Sequence, residues 1–307
     1  MSLVALLKGK GPSGFGYGST AEEVTEGIDL GGRNVLVTGA SSGLGLETVR
    51  VLALRGARVI AVARSEEKAR GAIDAAHASG ALPVACELAE PESVLSCVSA
   101  VEKDGVRLDA IICNAGIMAL PKLEKVHGYE KQFFTNHIGH FLLVTRLLPR
   151  LAETGRVVML SSSAHSGAPP EGIAFDNLQG EKSYSPWAAY GQSKLANLLF
   201  ARELSRRLSS DKQTANAVHP GVIKTNLGRN MPAPARAALA IASPLVLKSE
   251  AQGAATQCYV AVHPDAASIT GEYFADCNVS SSTRQGRDMD LAERLWEESE
   301  RIIERVS

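Results

Sequence analysis

Two hydrophobic periods alternate along most of the chain. "RNVLVTG" (33–39) is a continuous apolar, β-rich run, and from Leu44 to Arg55 apolar positions recur at helical spacing. "ARVIAVA" (57–63) repeats the strand and "SEEKARGAIDAAHAS" (65–79) the helix. "LPVACEL", "LDAIICNAG", "GRVVMLSSS" and "TANAVHPG" continue the series, with helical stretches between them. Strands that are apolar on both faces and separated by helices predict an α/β protein built on a parallel sheet covered on both sides.

The flanks read differently. Residues 9–32 are rich in Gly, Ser and acidic residues and predict an irregular arm, so the division is an arm over 1–32, a core domain over 33–280 and a helical tail over 281–307. "MPAPARAALAIASPLVLKS" (231–249) is apolar, broken by Pro and nearly without acid. It is too short and too interrupted to cross a bilayer, and it predicts a substrate flap over about 225–249; a packed surface helix and a membrane-surface contact are its alternatives.

Composition narrows the function. Of 307 residues, 45% are hydrophobic and 21% charged, and 32 Lys plus Arg face 33 Asp plus Glu, a net charge of −1. No global field favours nucleic acid or an anionic membrane, so nucleic acid is not an expected partner. Cys86, Cys97, Cys113, Cys258 and Cys277 form no C-x-x-C pair and sit mostly in apolar runs, which predicts reduced thiols, no metal site and a cytoplasmic protein. The N-terminal apolar stretch is too short for a signal peptide or a transmembrane segment.

Chemistry enters at "TGASSGLG" (38–45), where a strand passes through a glycine turn into a helix. Backbone N–H groups and a helix N-terminus arranged this way receive a dinucleotide pyrophosphate, and a Cβ at the glycines would block its approach. Further along, "AYGQSKLAN" (189–197) places Tyr190 and Lys194 four positions apart, on one side of a helix.

The T-G-x-x-x-G-x-G spacing, "NAG" at 114–116, Asn136 in "TNHIGH", Ser162 at the end of "VVMLSSS", Y-x-x-x-K at 190–194 and "HPGVIKT" at 219–225 occur in the order of the short-chain dehydrogenase/reductase family, which the chain resembles over roughly residues 33–280. "NHIGHF", "SSSAH", "FDNLQGEKSY" and "SKLANLLFARELSRRL" resemble its retinol-dehydrogenase-like branch, which includes the WW-domain oxidoreductases. The resemblance implies a single doubly wound Rossmann domain with seven strands in the order 3-2-1-4-5-6-7, helices on both faces and a small flap.

It implies a catalytic set of Asn136, Ser162, Tyr190 and Lys194, with cofactor contacts from Gly39, Ser41, Ser42, Gly43, Leu44, Gly45, Arg64, Glu87, Leu88, Asn114, Ala115, Gly116, Tyr190, Lys194, Pro220, Gly221, Val222 and Thr225. Glu87 stands where the branch usually carries Asp. Several retinol dehydrogenases carry an N-terminal membrane helix that this chain does not show, so retinol is not the expected substrate.

A free phenol, with a pKa of about 10, is a poor base near neutrality. The Lys194 ammonium one turn away and the positive ring of an oxidised nicotinamide are expected to favour the phenolate. Tyr190 then exchanges a proton with the substrate oxygen while Ser162 hydrogen-bonds that oxygen. By resemblance, Asn136 holds a water linked to Lys194. His137, His165 and His219 read as structural.

"VIAVARSEEK" ends the second strand on Ala63 and Arg64, without the acid that selects NAD(H), so NADP(H) is favoured over NAD(H). Met118, the backbone after Pro220 and the flap offer apolar or neutral surroundings, which predict a lipophilic alcohol, aldehyde or ketone. The expected activity is therefore a carbonyl reductase or alcohol dehydrogenase, with homodimerisation left open. A nicotinamide-sensing regulatory or scaffold protein with little turnover is the alternative; an extended-branch epimerase fits neither the glycine spacing nor the short C-terminal region.

Overall fold

The computed structural model describes residues 9–223 and 247–307. Its parallel strands are β1 (Asn34–Thr38), β2 (Arg58–Ala63), β3 (Leu82–Ala85), β4 (Leu108–Cys113), β5 (Leu151–Leu160), β6 (Thr214–His219) and β7 (Tyr273–Ala275). They lie in the order 3-2-1-4-5-6-7, and a short antiparallel strand β8 (Asn278–Val279) extends the β7 edge. The doubly wound sheet matches the order implied by the sequence, with this one added strand. The helices are α1 (Gly43–Leu54), α2 (Glu66–Ala75), α3 (Pro91–Asp104), α4 (Gly139–Leu147), α5 (Pro186–Arg207), α6 (Glu250–Val262) and α7 (Met289–Val306).

The period-2 alternation of each central strand feeds two separate cores. Val35 and Val37 of β1, Val59 and Ala61 of β2 and Ala110 and Ile112 of β4 face α1 and α6. Leu36, Ile60, Val62, Ile111 and Cys113 face α3, α4 and α5. With apolar residues on both sides, these strands sit stably only between two helical layers. The pairings Thr38↔Val62 and Val37↔Ile112 put the carboxyl ends of β1, β2 and β4 level with one another, where the order reverses and a crevice opens.

The arm is irregular apart from a short turn at Glu23–Thr25, yet it is anchored. Ala21 N–H donates to the Ala251 carbonyl at 2.8 Å, and the Phe15 ring stands edge-on to Tyr259 at 5.8 Å. The tail helix α7 lays Leu295, Trp296 and Ile302 inward, with Trp296 4.9 Å from Phe141 and 5.6 Å from Phe200 between ring centres. Among the described residues no helix is long and apolar enough to cross a membrane. The segment 231–249 falls mostly outside the described residues, as do Thr225 and most of the expected flap.

Candidate active site

The glycine turn after β1 is built for close approach. Gly39 has φ +67, and a Cβ there would lie 2.9 Å from Ala115 Cα. Gly45 backs directly onto the Gly39 carbonyl. Ala40 N–H donates to the Val62 carbonyl at 3.0 Å, tying the turn to the end of β2. Ser42, the N-cap of α1, makes no side-chain cap, and the first turn carries no acid. The leading N–H groups of α1 are thus left to an anion.

Beside this turn runs the 114–117 loop. Asn114 Nδ2 donates to the Thr38 carbonyl at 2.9 Å, and Ala115 N–H donates to Thr38 Oγ1 at 3.0 Å. From α6, Gln257 Nε2 donates to Asn114 Oδ1 at 3.3 Å. The sequence reading missed Gln257, because its partner lies 143 positions away.

Asn136 sits in a π-helical turn, Phe134–Ile138, that continues into α4. Its amide is oriented by Ile117, whose N–H donates to Oδ1 at 2.8 Å and whose carbonyl accepts from Nδ2 at 2.9 Å. Nδ2 also donates to Ser193 Oγ at 2.9 Å, and Ser193 donates to the Tyr190 carbonyl at 2.8 Å. A widened turn re-aims side chains that an α-helix would place elsewhere, and such turns gather at functional sites. Asn136 therefore joins the 114–117 loop to α5.

Three consecutive serines follow β5, and the structure separates them. Ser161 is buried and donates to the Lys194 carbonyl at 2.7 Å; Ser163 is exposed, its N–H on His219 Nδ1 at 3.2 Å. Ser162 is the one whose side chain acts on the Tyr190 phenol, favouring its ionised form. His165 Nδ1 donates to the Ser162 carbonyl at 2.6 Å, and its Nε2 accepts from Thr283 N–H at 3.2 Å, a structural use of this histidine.

Tyr190 and Lys194 lie one turn apart on α5, with Nζ 5.6 Å from the phenol ring centre. Lys194 is buried and donates to the Leu160 carbonyl at 3.0 Å. Burial lowers its ammonium to about 8. Burial also pushes the Tyr190 phenol up to about 12, against the pull of Ser162. This reverses the direction expected from the lysine: desolvation governs the phenol, only Ser162 opposes it, and the phenol keeps its proton.

A strand–glycine turn–helix crevice facing a Ser–Tyr–Lys cluster and a π-turn asparagine is a specific arrangement. The short chain dehydrogenase family matches residues 33–235. The chain belongs to the short-chain dehydrogenases. Short-chain dehydrogenase TIC 32 A, chloroplastic, from Brassica napus is 42% identical over 318 residues, covering 99% of each chain. Retinol dehydrogenase 12 from Mus musculus is 40% identical over 278 residues, covering 89% of this chain and 86% of its own. Among solved structures, the angucycline C-6 ketoreductase LanV with bound NADP is 26% identical, with a TM-score of 0.66 over 81% of this chain and 95% of its own.

The protein is thus an NAD(P)-dependent short-chain dehydrogenase/reductase acting on CH–OH groups, similar to the TIC 32 and retinol dehydrogenase branch. Arg64 is exposed at the end of β2, beside the buried Ala63. Glu87 turns its carboxylate onto its own loop, accepting from Ala89 N–H at 3.3 Å, next to the buried Leu88. Pro220 is buried, and Gly221 and the exposed Val222 follow it. On the substrate side, Tyr184 donates to the Leu120 carbonyl at 2.6 Å, bracing the loop that carries Met118, and Trp187 stands exposed 6.3 Å from the Tyr190 ring.

Proposed function

We propose that this enzyme interconverts a lipophilic alcohol and its aldehyde or ketone, with NADP(H) as the favoured cofactor and Tyr190 as acid/base. The observation that carries the reading is the Tyr190 phenol, which the Ser162 side chain draws toward ionisation, with Lys194 one helical turn away on the same helix. The nicotinamide supplies or accepts the hydride when bound. The cradle of Gly39, Ser41, Ser42, Gly43, Leu44 and Gly45 fits its pyrophosphate, since backbone N–H groups face the space that the glycines keep clear.

In the reducing direction Ser162 holds the carbonyl oxygen, and the protonated Tyr190 donates to that oxygen as it becomes a hydroxyl. Lys194, whose charge faces the phenol, then stabilises the phenolate. Asn136 keeps Ile117 and Ser193 in place around them, and a proton from solvent, passed by way of Lys194, restores Tyr190. No step needs a metal.

Arg64 in place of an acid supports NADP(H), since a guanidinium pairs with a phosphate by shape and permanent charge. The NADP bound by the similar ketoreductase accords with this. Apolar and neutral groups around Met118, Trp187 and Val222 support a lipophilic substrate. A cytoplasmic setting is our reading of five buried free thiols, while the Brassica relative is named chloroplastic; cell fractionation separates the two.

The test is a turnover screen of lipophilic ketones, aldehydes and alcohols with both cofactors. Reduction of a ketone or aldehyde with NADPH is expected. Tight NADPH binding with no turnover across the panel would replace the reading with a cofactor-sensing role.

A further inference from the structure

The proton chemistry uses neither histidine of the 136–140 turn, yet one of them, His140, is bonded to both halves of the site. Its ring is fully buried. Nδ1 lies 2.9 Å from the Asn136 carbonyl oxygen, and Nε2 lies 2.9 Å from Thr38 Oγ1. A carbonyl oxygen only accepts, so Nδ1 carries the hydrogen. Burial pushes the imidazole down to about 4, helped by the charge of Lys194, so near neutrality Nε2 is a bare acceptor. The Thr38 hydroxyl must then donate to it. Thr38 Oγ1 keeps its lone pairs for Ala115 N–H at 3.0 Å. One tautomer and one hydroxyl rotamer satisfy every group.

We propose that His140 is a positioning residue that sets the cofactor-facing loop 114–117 in register with the catalytic helix, an inference that rests on the oxidoreductase reading above. The loop is clamped twice. Ala115 is held by Thr38, and two residues on, Ile117 is held at both its N–H and its carbonyl by Asn136. The same Asn136 amide reaches Ser193, which holds the backbone of Tyr190. His140 joins the two clamps, since its ring bonds the hydroxyl of one and the main chain of the other. Hydrogen bonds that run in one direction through a dry interior reinforce each other. An apolar side chain there would take the donor from the Asn136 carbonyl and leave the Thr38 hydroxyl only the Ile112 carbonyl, at a long 3.5 Å, while a charged one would meet the Lys194 ammonium.

The consequence is that the distance between the bound nicotinamide and the Tyr190 hydroxyl depends on a residue that touches neither. The test compares His140→Leu, His140→Gln and Thr38→Val, reading NADPH dissociation constants by fluorescence, the deuterium isotope effect on kcat with NADPH labelled at the transferred hydrogen, and Tm. His140→Leu and Thr38→Val are each expected to weaken NADPH binding about tenfold and to raise the isotope effect, because a misplaced hydride donor makes its transfer more rate-limiting. His140→Gln, which offers one donor and one acceptor on a single amide, is expected to recover most of both.

Wild-type affinity and isotope effect in Leu and Val variants that differ only in Tm would overturn the proposal and leave a purely structural histidine. Thr38→Val keeps the shape of the side chain and carries the test where His140→Leu fails to fold. Because NADPH binding is read without turnover, failure of the oxidoreductase reading leaves this arm intact.

Discussion

Ser161 Oγ donates to the main-chain oxygen of Lys194 at 2.7 Å, in the buried layer beneath the site. That bond fixes the height of α5 over β5, and it leaves Ser162, one residue on, as the hydroxyl that faces Tyr190. Ser161 is spent on the helix backbone and is buried, whereas Ser162 is partly exposed, so the two serines cannot exchange parts.

Ser162→Ala is therefore expected to lower kcat by roughly a hundred- to a thousand-fold, the usual loss of an oxyanion donor, with a stability loss of about 1 kcal/mol from its cap on Ala164 N–H. Ser161→Ala is expected to cost about 0.5–1.5 kcal/mol of stability and only a few-fold in kcat. Steady-state kinetics and thermal melts on the two variants check both. Equal kinetic losses in both would contradict the assignment.

Acid should destabilise the fold through its buried imidazoles. Burial pushes His140 down to about 4 and His137 to about 3, against an ordinary value of 6.5. Between those values the unfolded chain binds protons that the folded chain refuses, so this contribution is complete above about pH 6.5 and is lost as pH falls toward 4. Each histidine alters stability by about 1.4 kcal/mol per pH unit in that window. Urea midpoints at neutral pH and at about pH 5 test it. A midpoint that does not move would show that the rings are protonated without cost.

Cofactor choice turns on the end of β2. A charge-assisted contact of about 1.5–3 kcal/mol predicts at least a tenfold preference for NADPH in kcat/KM, and Ala63→Asp with Arg64→Ala should reverse it. Equal kcat/KM values for the two cofactors in the wild type would remove Arg64 from the phosphate site.

Much of this was legible in the chain because it depends on local pattern. Alternating apolar runs such as Val35–Leu36–Val37 prescribe a strand buried on both faces, and the i, i+4 spacing of Tyr190 and Lys194 prescribes a shared helix face. What escaped depends on distant contacts. The widened turn at Phe134–Ile138 has no local signal in the sequence, and it accompanies bonds from Asn136 to Ile117 and from His140 to Thr38. The β7–β8 hairpin turns on Asp276 and Cys277 at φ 52 and 62, where sequence rules look for Gly or Asn. The direction of the Tyr190 shift escaped because an ammonium's pull can be read from spacing, whereas desolvation follows only from packing.

The most direct measurement of the central claim is Tyr190→Phe, which deletes the phenol hydroxyl and little packing. Ketone reduction with NADPH is expected to fall by at least about a thousand-fold in kcat while the NADPH dissociation constant stays within about twofold of wild type. Lys194→Ala should weaken both, since on the proposed reading its ammonium serves the phenolate and, as the family resemblance implies, the nicotinamide ribose. A Tyr190→Phe enzyme that keeps a large share of wild-type kcat would contradict the account, because the proton would then come from another group.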